Sequence, residues 1–60
     1  MGITGFLGYQ IFKNGNEFVA EYADIKKAYR KLNSLGNRGV YVELWACYAD
    51  FSRHLVDYRN

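Results

Sequence analysis

Sixty residues, 50% apolar and 18% aromatic, with one cysteine, one histidine and a net charge of +2, describe one small domain spanning residues 1–60. A chain of this size buries only about 60% of the surface its unfolded form exposes, so its core is marginal. A lone cysteine excludes an internal disulfide, and one cysteine with one histidine cannot supply the four ligands of a structural zinc; no metal or cofactor is expected, and self-association becomes the expected reinforcement.

The opening MGITGFLGYQ lacks the charged and apolar regions of a secretory signal. It also misses the myristoylation pattern, because Phe6 stands where Ser or Thr is required. No stretch reaches the roughly 20 apolar residues of a membrane span. A soluble, cytoplasmic protein with no membrane partner is expected. The glycines of GITGFLG precede a strand rather than a helix, so they do not form a phosphate loop and instead mark a loose start and an irregular strand.

FLGYQIFKNGNEFVAEY reads as a β-hairpin, since Asn14-Gly15 suits a two-residue type I′ turn in which both residues need positive φ. If Lys13 faces Asn16, then Ile11 faces Phe18, Tyr9 faces Ala20 and Leu7 faces Tyr22, all on one side. Phe12–Glu17, Gln10–Val19, Gly8–Glu21 and Phe6–Ala23 then share the other side. Phe18, Tyr22, Ile25, Tyr29 and Leu32 also fit a single helix from Asn16 to Leu35; the turn chemistry favours the hairpin. In DIKKAYRKLNSLG, Asp24 is a suitable N-cap and Ile25, Ala28, Tyr29, Leu32 and Leu35 form one apolar stripe. Gly36 is placed to end this helix.

VYVELWACY follows as a strand with two non-polar phases. Val40, Val42, Leu44, Ala46 and Tyr48 alternate with Tyr41, Glu43, Trp45 and Cys47. The tail FSRHLVDYRN fits a fourth strand through His54, Val56 and Tyr58, or a short helix capped by Ser52; the strand is favoured. The fold class is therefore α+β: a small antiparallel sheet in ββαββ order with one helix packed on one face.

Two surfaces are left for function. The uncovered sheet face gathers Phe6, Phe12, Val19, Tyr41, Trp45 and Cys47, an apolar patch of the kind that marks a dimer interface or a partner site. The second surface is the solvent side of the helix, Lys26, Lys27, Arg30 and Lys31, without an acid among them. Cations in a first helical turn cost roughly 0.3–1 kcal/mol each, and like charges at i, i+4 about 0.2–0.5 kcal/mol per pair. An acidic protein or a nucleic acid would offset that repulsion. RGVYVELWA shares Arg38, Gly39 and the closing Trp45 with an RNA-binding strand pattern but lacks its central aromatics.

Nothing local supports catalysis. Cys47 and His54 could meet across a hairpin, with Asp50 or Asp57 as an orienting group, but no motif surrounds them. No catalytic residue is expected, and the chain is too thin to wall a substrate pocket.

The segments NGNEF, YADIKKAYRKLNSLG and GVYVELW together resemble the small accessory proteins of bacteriophages, built from a hairpin, a Lys-rich helix and a closing strand. The resemblance implies a homodimeric, non-catalytic inhibitor that binds and blocks a host enzyme or defence complex, acting in the bacterial cytoplasm. The alternative is a small nucleic-acid-binding protein using the basic helix face.

Overall fold

The computed structural model describes residues 5–60. The predicted loose start, residues 1–4, lies outside them. Strands β1 (Phe6–Lys13) and β2 (Glu17–Tyr22) are followed by helix α1 (Ile25–Asn37), then β3 (Val42–Tyr48) and β4 (Arg53–Arg59). The order is ββαββ, and the four strands form one antiparallel sheet, β2-β1-β3-β4. Both β2 and β3 run antiparallel to β1 and so parallel to each other. Parallel strands cannot be joined by a tight turn. Helix α1 makes this connection, crossing over β1 and packing against one face of the sheet.

Asn14 and Gly15 are left-handed as expected (φ 55° and 91°), and the Asn16 amide donates to the Lys13 carbonyl, but the loop takes three residues, 14–16, rather than the expected two, because Lys13 pairs with Glu17 and not with Asn16. The ladder beyond it differs from the predicted register. Lys13 pairs with Glu17, Phe12 with Phe18, Ile11 with Ala20 and Tyr9 with Tyr22. A bulge leaves Val19 as the extra residue. Phe18, predicted to lie beneath the helix, is instead 54% exposed on the other face, edge-to-face with Phe12 at 5.8 Å. Val19 takes its place against the core. The smaller Val19 and Ala20 fit under α1 where Phe18 would crowd it.

A second irregularity falls between Phe6 and Gly8, so Phe6 pairs with Tyr48 and Gly8 with Cys47. Leu7 is the residue thrown out, 63% exposed rather than covered by the helix. The predicted Phe6–Ala23 pair does not form, because β2 ends at Tyr22.

The helix begins as read. Asp24 caps it, one carboxylate oxygen accepting from the Lys26 amide at 2.8 Å. Ala28 and Leu32 are completely buried with Ile11, Val42 and Leu44, while Tyr29, Leu35, Val40, Tyr9 and Tyr22 pack around them. The helix ends later than Gly36: it runs to Asn37, Arg38 is the C-cap, and Gly39 takes the left-handed position (φ 81°). Gly36 has a different task. A Cβ there would lie 2.7 Å from the Arg59 Cβ, so its missing side chain lets the last helical turn rest on β4. The tail is a strand, and β4 carries a bulge at Val56.

Candidate protein-interaction surface

The sheet face away from α1 is assembled from every strand. Tyr41, Glu43, Trp45 and Cys47 project from β3 and its approach. Phe12 and Gln10 come from β1, Phe18 and Glu21 from β2, and Arg53, Leu55 and Tyr58 from β4. The pairs Trp45–Leu55, Glu43–Tyr58 and Cys47–Arg53 set them side by side. Among the described residues nothing packs over this face.

Its centre is organised around two charges. The Glu43 carboxylate accepts from the Tyr41 hydroxyl at 2.6 Å and from the Trp45 indole N–H at 3.0 Å. The tyrosine's bond, then the indole's, holds the Glu43 carboxyl below its ordinary value. The same bond to Glu43 pushes the Tyr41 hydroxyl above its own. The Arg53 guanidinium lies 4.4 Å from the centre of the Trp45 ring and 5.2 Å from that of Phe12. Such stacking is worth roughly 0.5–1 kcal/mol at an exposed site. It fixes two rings while leaving the guanidinium edge to solvent. Tyr41 and Trp45 are therefore held in place by contacts within the chain itself.

Of the six residues predicted for this face, Phe12, Tyr41, Trp45 and Cys47 are on it. Phe6 and Val19 are not. The bulge at Leu7 and the three-residue turn put them on the helix side, where Phe6 stacks edge-to-face on Tyr9 and Tyr48 and Val19 packs on the core. The sequence reading missed Phe18, Leu55, Tyr58 and Arg53. Arg53 had a usable signal, since a strand over the tail places it in phase with Leu55. Phe18 had none, because its side was decided by the third residue of the turn, which pairs Lys13 with Glu17 and so Phe12 with Phe18.

The four basic helix residues are in the predicted positions. Lys26, Lys27 and Arg30 are exposed and Lys31 is half-buried. The ion pairs among the described residues, Lys13–Glu17 and Arg59–Asp57, engage none of them. A cleft of about 340 Å³ between α1 and the β2 edge is lined by Tyr22, Lys27, Arg30, Lys31 and Ser34. Lys26 lies outside it.

Cys47 and His54 do not meet. Cys47 is on the open face opposite Arg53, whereas His54 pairs with Ala46 and stacks on Tyr48 on the helix side. Burial pushes the Cys47 thiol above its ordinary value, the reverse of what a nucleophile needs. Among the described residues no three His, Cys, Asp or Glu side chains cluster as metal ligands, and no helix is long and apolar enough to cross a membrane. Comparison with family models, curated proteins and solved structures gives no match.

Proposed function

We propose that this chain is a non-catalytic protein-interaction module, a phage-type inhibitor that docks its open sheet face on a larger host enzyme or defence complex in the cytoplasm and blocks it. The observation that carries this reading is the preset aromatic centre: Trp45 and Phe12 under Arg53, with Tyr41 and Trp45 tethered to Glu43. Trp, Tyr and Arg are the residues in which interface energy concentrates. The exposed Phe18, Leu55 and Tyr58 extend the patch to both sheet edges. The source of the inhibitor role is the resemblance to phage accessory proteins.

Immobilised wild-type chain and Trp45→Ala serve as paired baits in bacterial lysate. The expected result is a host protein held by the wild type and lost by the variant. Purified, that protein should then shift the emission of Trp45, the chain's one tryptophan. Equal capture by both baits, or an unmoved emission spectrum, overturns the reading.

A second reading has its own support in the basic cleft. Lys27, Arg30 and Lys31 converge there beside the Tyr22 ring, with no carboxylate in the lining among the described residues. Cations with an aromatic platform suit a single-stranded nucleic acid. Fluorescence anisotropy with a labelled oligonucleotide across a salt series tests it. Affinity should fall steeply with salt, and Lys27→Glu with Lys31→Glu should abolish it; the absence of binding at low salt removes this reading.

A further inference from the structure

The β3–β4 hairpin ends in a residue that its own fold does not favour. Phe51 is 99% exposed and left-handed, with φ 70°. A bulky side chain in that conformation is an outlier, and glycine or asparagine is the usual occupant. No burial within the chain offsets the strain. The loop is nevertheless held firmly. The Tyr48 amide donates to the Ser52 carbonyl and the Phe51 amide to the Tyr48 carbonyl, both at 3.0 Å. The Asp50 carboxylate accepts from the Ser52 amide and hydroxyl. The Ala49 amide donates to the Gly5 carbonyl at 2.7 Å, tying the hairpin base to the start of β1. A phenyl ring is thus presented rigidly to solvent at a local energetic cost, a combination that points to a use outside the monomer.

A matching cavity lies at the same end of the molecule. A helix of 13 residues rises about 20 Å, whereas an eight-residue strand spans about 26 Å, so α1 cannot cover the whole sheet. Beyond its N-terminus an apolar groove of about 430 Å³ stays open among the described residues, lined by Phe6, Tyr9, Ile25, Ala46, Tyr48 and Val56. Among the described residues no charged side chain lines it. Phe6, Ile25 and Val56 are exposed there, and Phe6 remains 46% exposed although it touches two rings.

We infer that Phe51 of one copy enters this groove on a second copy, forming a two-fold symmetric dimer. Tyr48 gives the geometric reason: it is a wall of the groove and also the residue from which the hairpin turn departs. Plug and socket therefore adjoin on each copy, and one two-fold axis seats both plugs at once. A reciprocal contact of this kind closes, whereas a head-to-tail one would propagate. The dimer leaves both open sheet faces free, so it does not depend on the function proposed for them.

Sedimentation of the whole chain over a wide concentration range is the test. The wild type should dimerise. Phe51→Gly should weaken the dimer about 30-fold or more, as loss of an interface hot spot does. At dilutions where both are monomers, the same variant should melt above the wild type, because the strain is gone. Val56→Arg, which fills the socket and leaves the plug, should also dissociate. An equal mixture of the two variants restores one of the two contacts and should associate more tightly than either alone. Trp45→Ala should dimerise as the wild type does. A wild type monomeric at every concentration, a Phe51→Gly variant that dimerises unchanged, or a mixture no tighter than its components overturns the proposal.

Discussion

The two ends of the helix meet the sheet in different ways. From the middle of the helix to its C-terminal end the contact is polar and specific. The Tyr29 hydroxyl donates to Asp57, the Arg59 Nε donates to Asn33, and the Arg59 stem fits where Gly36 has no side chain. Asp57 also accepts from Arg59 and from the Tyr58 amide, so the network closes on itself. At the N-terminal end there is the Asp24 cap and then only apolar surface, Ile25 above Phe6, Tyr9, Tyr48 and Val56. One end is finished within a single chain, and the other is not. The difference shows how a small domain divides its resources. Directional bonds fix the helix at one end, and the surface left bare at the other becomes available for association.

The largest effect should come from the region that both ends share. Leu32 is completely buried among Ile11, Ala28, Val42 and Leu44. Leu32→Ala removes a side chain that nothing can replace, at a cost of about 2–5 kcal/mol. In a domain this small that loss should leave the chain largely unfolded at room temperature by circular dichroism; a cooperative melt within a few degrees of wild type would mean that the core lies elsewhere. Next in size is Gly36→Ala. Alanine gains about 1 kcal/mol in helix propensity, but its Cβ would stand 2.7 Å from the Arg59 Cβ and overpacking costs roughly 1–3 kcal/mol. A net loss of about 1 kcal/mol in urea melts is expected, against a small gain for Ser34→Ala on the exposed side of the same helix. If both variants gain, the clamp is not tight.

The sequence made the regular parts of this arrangement legible and the irregular parts not. Helix α1, its Asp24 cap, the Asn14-Gly15 turn and the two phases of β3 are written in local residue choices with a fixed period. They appear where the sequence places them, except that the helix runs past Gly36 to Asn37 and the turn takes three residues. Three bulges, at Leu7, Val19 and Val56, have no such local signature. Each moves a strand by one position, and a shift of one exchanges faces. Phe6 was misplaced by the bulge at Leu7, and Phe18 and Val19 by the extra turn residue that pairs Lys13 with Glu17; the bulge at Val19 then returns Ala20 and Tyr22 to the predicted face. The open sheet face was therefore legible only in part: four of the six predicted positions are on it, but Phe18, Leu55, Tyr58 and its organising charge, Arg53, were not foreseen. The tail strand puts Arg53 in phase with Leu55, but which rings it meets, Trp45 and Phe12, is set by the pairing of β4 with β3 and not by any local pattern.

At the bare end the expected change has the opposite sign. Phe51→Gly relieves a left-handed aromatic worth about 1–2 kcal/mol and loses part of that to the greater freedom of glycine in the unfolded chain. A net gain of about 0.5–1 kcal/mol in the dilute monomer is expected from thermal melts. A stabilising substitution at one end and a destabilising one of similar size at the other, both involving glycine, would sharpen the contrast between a site tuned for packing and a site tuned for exposure. A loss at Phe51 would erase it.

The smallest effect, and the one specific to the clamp, is a response to acid. The Tyr58 amide first, then Arg59 and the Tyr29 hydroxyl, hold the Asp57 carboxyl below its ordinary value of 3.8. A carboxyl lowered in the folded state binds its proton more readily when unfolded, so its contribution to stability is complete above pH 3.8 and is lost as pH falls through the lowered value. Burial first, then the bond to Asp57, raises Tyr29 above 10, so the tyrosine's share is complete below pH 10 and is lost at higher pH. Asp57→Asn keeps the shape of the side chain and removes the titration. The variant should be slightly less stable than wild type at neutral pH, and the gap should close as pH drops below 3.8. The test must also separate Asp57 from Glu43 and Asp50, whose carboxyls are lowered too, by Tyr41 and Trp45 and by Ser52. Glu43→Gln supplies the separation. It should also flatten the acid limb but leave amide exchange in the last turn of α1 unchanged, whereas Asp57→Asn should speed exchange there. If both variants speed exchange equally, the helix end is not clamped by Asp57, and the asymmetry between the two ends rests on the Arg59–Asn33 hydrogen bond and the packing at Gly36.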